Sequence, residues 1–434
     1  MNPLYCNDTR GEFPPSWYAA TTPLPALRPS LKGDQKADVV VVGAGYTGLH
    51  AAWELRKRGL SVIVLDAHRA GWGASGRNGG QVGSDFNKSQ IWLGARIGQP
   101  LAQDLWKLAH EATDMVKDFC TTYAPEANFR HGIAHGSFDA KDVEVERRVY
   151  DLMDKHYPGH ETTVLNEKAF RRLVNSKLYA GGTINRRAGH VHPLRYVLAL
   201  AREAEAAGAT IFEMTEAKRI QHGAKPVVHC ENGTVAADHV ILAGNGYMRG
   251  LDRGNDARVM TVNSFIGVTE PLGDLAETVL GEDIAACDSS NVVNYFRLTE
   301  DRRLLFGGRA NYTRQFPDDI GSKLHKRMGE MFPQIRHVPF THTWGGSLGI
   351  SIKRLPVVRR VAPNVLSISG YSGHGVALAG LAGKLMAEAV AGQAERFDTF
   401  STLPQGTYPA GHMAQGPLLT LAMAWFRLRD KLGI

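Results

Sequence analysis

Residues 38–66 read DVVVVGAGYTGLHAAWELRKRGLSVIVLD. Val39 to Val42, opened by Asp38, are an almost unbroken β-branched run, as expected of a strand buried inside a parallel sheet. Gly43, Gly45 and Gly48 then follow as G-x-G-x-x-G where strand turns into helix. Ala51, Ala52 and Leu55 carry the helix to Arg58, and Gly59 is its stop. A second strand, Leu60 to Leu65, ends on Asp66, 18 residues past Gly48. The stretch is a complete βαβ unit for a dinucleotide. Gly43 permits the tight turn, Gly45 lets backbone approach a pyrophosphate, and Gly48 lets helix and strand pack closely. The helix N-terminus meets the phosphates with N–H groups and dipole, and Asp66 accepts from a ribose hydroxyl. Ala44, Tyr46, Thr47 and Ala67 share this binding loop.

Outward from this unit, two more glycine loops look built for the same ligand. Gly73, Ala74, Ser75, Arg77, Asn78, Gly79, Gly80 and Gln81 form a loop able to press backbone against a flat or anionic group, with Arg77 placed to neutralise phosphate. Pro356 to Ser369 reads as short strands leading into GYSGHGVALAG (370–380) and a helix, a second strand–loop–helix unit whose N-terminus faces something electron-rich. A strand at Val240–Ala243 ends in Gly244-Asn245-Gly246-Tyr247.

Between these pieces the chain changes style. Residues 100–121 and 140–157 have helical periodicity, with strand material at 129–138. Residues 183–247 return to βα-rich sequence, with a helix from Pro193 and strands at 209–213, 217–220 and 225–230. From Arg258 long alternating strands take over, with a hairpin turning at Glu300-Asp301, a helix at 319–331 and an alternating segment at 341–351. The fold class is therefore α/β in two domains: a Rossmann-type dinucleotide domain with an inserted antiparallel-sheet substrate domain. The expected division is an arm at 1–37, a discontinuous nucleotide domain at 38–95, 160–250 and 350–392, a cap at 96–159 and 251–349, and a tail at 393–434. Trp17 and Tyr18 anchor the arm. The tail contains PLLTLAMAWFRLRDKLG, an amphipathic helix that packs on the body or makes peripheral contact with a membrane or partner.

Composition narrows the class. With 434 residues, 43% hydrophobic and 21% charged, the chain is ordinary for a globular protein of two or three domains. A net charge of +7 is spread along the chain without basic runs, which disfavours a nucleic-acid partner. Cys6, Cys120, Cys230 and Cys287 form no CxxC pair, and the histidines show no ligand spacing, so neither a disulfide framework nor a metal site is expected. A reducing cytoplasm is the expected setting.

Four ordered signatures, GAGYTGL at 43–49 with Asp66, GASGRNGGQ at 73–81, AGNGY at 243–247 and GYSGHGVALAG at 370–380, together resemble the FAD-dependent amine and amino-acid oxidases of the D-amino-acid oxidase, glycine oxidase and sarcosine oxidase type. The likeness spans about residues 36–395, and the GASGRNGG form with the SWYAATT arm most resembles the gamma-glutamylputrescine oxidase branch. The resemblance implies a glutathione-reductase-like FAD domain. Gly43, Gly45, Gly48 and Asp66 would hold the pyrophosphate and ribose, residues 74–81 would pass the flavin edge, and Gly373, His374, Gly375 and Val376 would place N–H groups by the reduced ring. Gly244, Asn245 and Gly246 would complete the site. FAD would be non-covalent, because no cysteine follows Cys287.

The implied reaction takes an amine or amino acid to an imine, with O2 giving H2O2. The alternative is an oxidase or dehydrogenase of a secondary, cyclic or D-amino acid that passes electrons to a quinone or carrier. For substrate contacts, Arg309, Lys353 and the adjacent Arg354 are either carboxylate partners or surface charges. His374 lies in the flavin-facing loop, Trp344 either walls the pocket or fills core, and Tyr371 is a further candidate.

Overall fold

A computed structural model describes residues 3–408, apart from 158, 249, 291 and 312–314, with only the backbone path at 309–311. The quoted stretch builds the middle of an eight-stranded sheet. Strand Gln35–Val42 lies between Thr234–Leu242 and Val62–Leu65, parallel to both. Val365–Ser369 and Thr210–Phe212 extend the parallel set on either side, and Val357–Ala362 closes one edge antiparallel. Val39 to Val42 are buried because helices cover one face and a smaller apolar cluster the other.

Register decides where a ligand can sit. Val42 pairs with both Leu65 and Leu242, so three strands end level. Gly43, Asp66 and Ala243 therefore emerge side by side at the carboxyl edge, where open α/β sheets bind their ligands. On the helical face, Tyr46–Lys57 packs between Pro193–Ala206 and Gly375–Val390. Gly383 makes that approach possible: a Cβ there would fall 2.3 Å from the Thr47 carbonyl oxygen. Helix Gln99–Tyr123 lies across Gly375–Val390.

The second sheet has nine strands in the order Phe340–Ser351, Val259–Pro271, Arg303–Asn311, Tyr295–Leu298, Ala285–Asp288, Arg130–Ser137, Gly181–His190 and Gln81–Val82, with Thr162–Asn166 also on Gly181–His190. Its far face, covered by helix Gly321–Met331, holds a second apolar core. The hairpin at Glu300-Asp301 and the helix near 319–331 form as expected.

Sheet membership differs from the sequence reading in one region. Gly181–His190, expected in the nucleotide part, pairs with Arg130–Ser137 in the second sheet and brings Thr162–Asn166 with it as its own partner. Two glycines conceal this strand: Gly182 has φ +156°, and a Cβ on it would meet the His135 carbonyl oxygen at 2.1 Å. Conversely, helix Gln99–Tyr123, expected in the cap, covers the first sheet's helices.

The arm is anchored as expected, with Trp17 and Tyr18 buried in the main core and the Tyr18 hydroxyl donating to the Asn78 carbonyl. The amphipathic segment of the tail lies outside the described residues. No described helix is long and apolar enough to cross a membrane.

Candidate active site

A cavity of about 1260 Å³ opens at the carboxyl edge of the first sheet and runs to the inner face of the second. At one end lie Gly43, Ala44, Gly45, Tyr46, Thr47, Asp66 and Ala67. Gly43 has φ +108°, and a Cβ on Gly48 would fall 1.9 Å from its carbonyl oxygen, so Gly48 serves packing and lies outside the cavity wall. The Asp66 carboxylate accepts from the backbone N–H groups of Ala44 (2.7 Å) and His68 (2.8 Å). Burial nevertheless outweighs these bonds and pushes its pKa up to about 6. Ser75 Oγ caps the helix by accepting from Tyr46 N, 3.0 Å away.

The loop at 73–81 lines the middle of the cavity, Gly76 and Gly80 excepted. Asn78 pins it, donating to the carbonyls of Ala74 and Ser75 and accepting from Gly80 N. Gln81 donates to the Ala286 carbonyl. Arg77, expected at a phosphate, lies on the cavity wall with most of its guanidinium engaged: it donates to Trp72 O (2.7 Å), Asp8 Oδ2 (2.8 Å) and Gly345 O (3.3 Å) and stacks over Trp72, while Nη2 has no hydrogen-bond partner among the described residues. Its guanidinium ties the loop to the arm and to the second sheet. Trp344 is likewise corrected to core: it is absent from the cavity wall, and its indole N–H donates to the Arg77 carbonyl at 2.9 Å.

The third loop closes the cavity. Gly370, Ser372 and Gly373 all have positive φ, and the turn delivers Gly373, His374, Gly375 and Val376 to the wall at the start of helix Gly375–Val390. Asn245 Oδ1 accepts from Gly370 N, joining this loop to the end of strand Thr234–Leu242. Gly244 and Asn245 line the cavity, whereas Gly246 packs on Gly349. Tyr371 lines the wall and shares a 2.7 Å hydrogen bond with Thr47, so the two helix N-termini are tied together at the cavity.

Beyond His374 the cavity widens into a chamber under helix Ala140–His156. Met260, Val262, Ile266 and Tyr295 give it an apolar wall, and burial pushes the Tyr295 phenol up to about 12. Asp85, His135 and Glu146 also line it, none of which the sequence singled out. His374 Nε2 lies 3.7 Å from Asp85 Oδ1, and His135 Nδ1 lies 3.3 Å from Glu146 Oε1. The Asp85 side chain is 61% accessible although densely surrounded, because its free surface is cavity wall. Of the expected cations, Lys353 is displaced by its neighbour: Arg354, held at φ +59°, reaches the wall, while Lys353 packs beside Gly406. The side chain of Arg309 lies outside the described residues.

These residues fit FAD. The glycine at 45 leaves a cradle beside Ser75, where a Cβ would lie 2.8 Å from Oγ, and two helix N-termini face one cavity large enough for a dinucleotide and a small substrate. Among the described residues no group of metal-ligating side chains occurs. Known proteins agree. A family model described as "FAD dependent oxidoreductase" (DAO) matches residues 38–389. "Probable oxidoreductase OrdL" of Rhizobium meliloti (strain 1021) is 38% identical over 96% of this chain and 97% of its own length. "Gamma-glutamylputrescine oxidoreductase" of Escherichia coli (strain K12) is 33% identical over 98% of this chain and all of its own. Among solved structures, glycine oxidase from Geobacillus kaustophilus superposes with a TM-score of 0.69 at 21% identity, covering 83% of this chain and 95% of that one. The chain belongs to the DAO family and is an FAD-dependent oxidoreductase acting on CH–NH groups of amines or amino acids.

Proposed function

We propose that the protein oxidises the terminal amine of a substrate with an amino-acid head, gamma-glutamylputrescine first among them, to an imine that water hydrolyses, with O2 as acceptor and H2O2 as product. The observation that carries the reading is the chamber: it is lined by the carboxylates Asp85 and Glu146 and by the cation Arg354, within the same cavity as the flavin loops. Such a wall suits a substrate that carries both signs of charge. The full-length likeness to the E. coli gamma-glutamylputrescine oxidoreductase supports the choice of substrate.

Bound FAD supplies the two-electron acceptor for the amine's α-hydrogen. The protein's own residues orient and exclude. Met260, Val262 and Ile266 hold an alkyl chain and keep water from it, and Arg354 pairs with a head-group carboxylate. The helix that starts at Gly375 would direct its N–H groups toward bound FAD and favour negative charge there. FAD is non-covalent in this reading, and the setting is cytoplasmic.

A peroxide-coupled screen over gamma-glutamylputrescine, putrescine, sarcosine, glycine and D- and L-amino acids tests the reading. Gamma-glutamylputrescine is expected to give the highest kcat/KM. Faster turnover of sarcosine or a D-amino acid overturns the substrate, and silence toward O2 with reduction of a quinone dye overturns the acceptor.

A further inference from the structure

The segment Gly83–Asn87 is fastened against the closing loop. Asn87 Nδ2 donates to Ser372 O at 2.5 Å, Asn185 Nδ2 to Ser84 Oγ at 2.9 Å, and Thr113 Oγ1 to Gly83 O at 2.8 Å. These bonds set Asp85 opposite His374, and position 83 carries no side chain where a Cβ would stand 3.5 Å from Asp85 Oδ1 and 3.7 Å from His374 Cδ2. The space over the pair is left open to the chamber. Alongside, Ser137 Oγ donates to Glu146 Oε1 at 2.9 Å, and Glu146 Oε2 and His374 Nδ1 have no hydrogen-bond partner among the described residues.

An alkylamine reaches the enzyme as ammonium, whose nitrogen has no lone pair to stabilise loss of hydride from the neighbouring carbon. One proton must leave first. We propose that His374 accepts this proton at Nε2, that Asp85 is the positioning carboxylate stabilising the resulting imidazolium, and that the His135–Glu146 pair passes the proton outward. An ammonium N–H bond breaks and leaves its electron pair on the amine, an N–H bond forms on the imidazole, and the net charge of the chamber is unchanged. This rests on the amine-oxidising function proposed above and adds to it the group that makes the amine reactive.

The surroundings are consistent. Burial holds His374 below its ordinary pKa, so its lone pair is free at neutral pH, while Asp85 pulls it back up and Arg354 pushes it down. Asp85 is itself raised by burial and faced by His374 and His135. Tyr150 on helix Ala140–His156, Cys287 on strand Ala285–Asp288 and Glu146 are further titratable groups around the pair.

The test uses holoenzyme and whichever amine wild type turns over fastest in the screen, so the substrate reading is judged on wild type and this inference on variants. In Asp85→Asn the acidic limb of kcat/KM against pH is expected to move to lower pH, and the plateau to fall about 100-fold, the scale of a lost general base. Asp85→Glu should restore the limb. His374→Ala should lose at least as much and recover with added imidazole. An acidic limb unchanged in Asp85→Asn at normal flavin content overturns the proposal, and so does a His374→Ala enzyme that binds flavin yet is not rescued. Should His374→Ala fail to fold, the Asp85→Asn and Asp85→Glu profiles decide alone.

Discussion

Asp66, the residue expected to hold the ribose of FAD, would serve folding and cofactor differently. Its folded pKa of about 6 lies above the ordinary carboxylate value of about 3.9. The folded state therefore holds the proton more tightly than the unfolded chain. The stability this contributes is complete below the unfolded value and is lost as pH rises toward 6. A ribose hydroxyl donating to the carboxylate favours the ionised form. FAD affinity of the apoprotein should consequently tighten roughly tenfold between pH 5 and 7, the equivalent of one pKa unit. Fluorescence titration of FAD at several pH values checks this, and Asp66→Asn should flatten the curve. Arg354 gives a second prediction. Arg354→Met should raise KM for gamma-glutamylputrescine about 10- to 100-fold, as expected for a lost charge-assisted bond, while leaving KM for putrescine, which has no carboxylate, within twofold.

At this scale the glycine loops were legible because a positive φ or a close backbone approach demands glycine locally. Asp85 was not, since its meaning depends on His374, far along the chain. The link between Trp344 and Arg77 is hidden for the same reason: the Trp344 indole donates to the Arg77 carbonyl and the Arg77 guanidinium to the Gly345 carbonyl, a contact between loops far apart in sequence. Lys353 missed by one position, because the turn that selects its neighbour rests on a left-handed backbone at Arg354 that no residue type there announces.

At the scale of elements, the pairing of helices Tyr46–Lys57 and Gly375–Val390 holds both N-termini on one cavity. His50 sits at the crossing, its Nε2 2.8 Å from the Tyr196 hydroxyl, and a Cβ on Gly380 would lie 2.9 Å from the same nitrogen. Burial lowers its pKa to about 4. The folded state thus resists a proton that the unfolded chain takes up near 6.5. The stability contributed by neutral His50 is present above that value and lost as pH falls toward 4. Urea midpoints should drop over this window, and His50→Gln should remove part of the drop. A slope unchanged by the substitution would assign the loss to other groups. The paired helices and the Glu300-Asp301 hairpin were legible from periodicity and turn residues. Strand Gly181–His190 was not, because GGTINRRAGH neither alternates nor favours strand, and close packing against His135 decides its conformation.

At the scale of the molecule, two sheets share one cavity and the arm ties them together. Arg77 is 2% and Asp8 14% accessible, so the pair is shielded from water. Removing the carboxylate leaves a buried guanidinium short of its counter-charge. Asp8→Ala should destabilise the protein by about 3 kcal/mol and speed FAD loss, read from denaturant unfolding and from flavin fluorescence on dilution. Asp8→Glu should retain most of both. The two-sheet plan was legible from the change of sequence style at Arg258, but the arm's role was not, since composition shows only that Trp17 and Tyr18 seek cover.

The Arg77 junction also sets an order of events during synthesis. Asp8 and Tyr18 leave the ribosome together with their early partners Arg77 and Asn78, but long before the groups that complete the arm's seat: His192, Arg297 and Trp344 against Tyr18, the Phe316 amide against Asn7, and the Gly345 carbonyl against Arg77. The arm's seat is therefore completed only when most of the polypeptide has been made. During that interval the dinucleotide end of the cavity lacks the cover that Leu4 and its neighbours later provide.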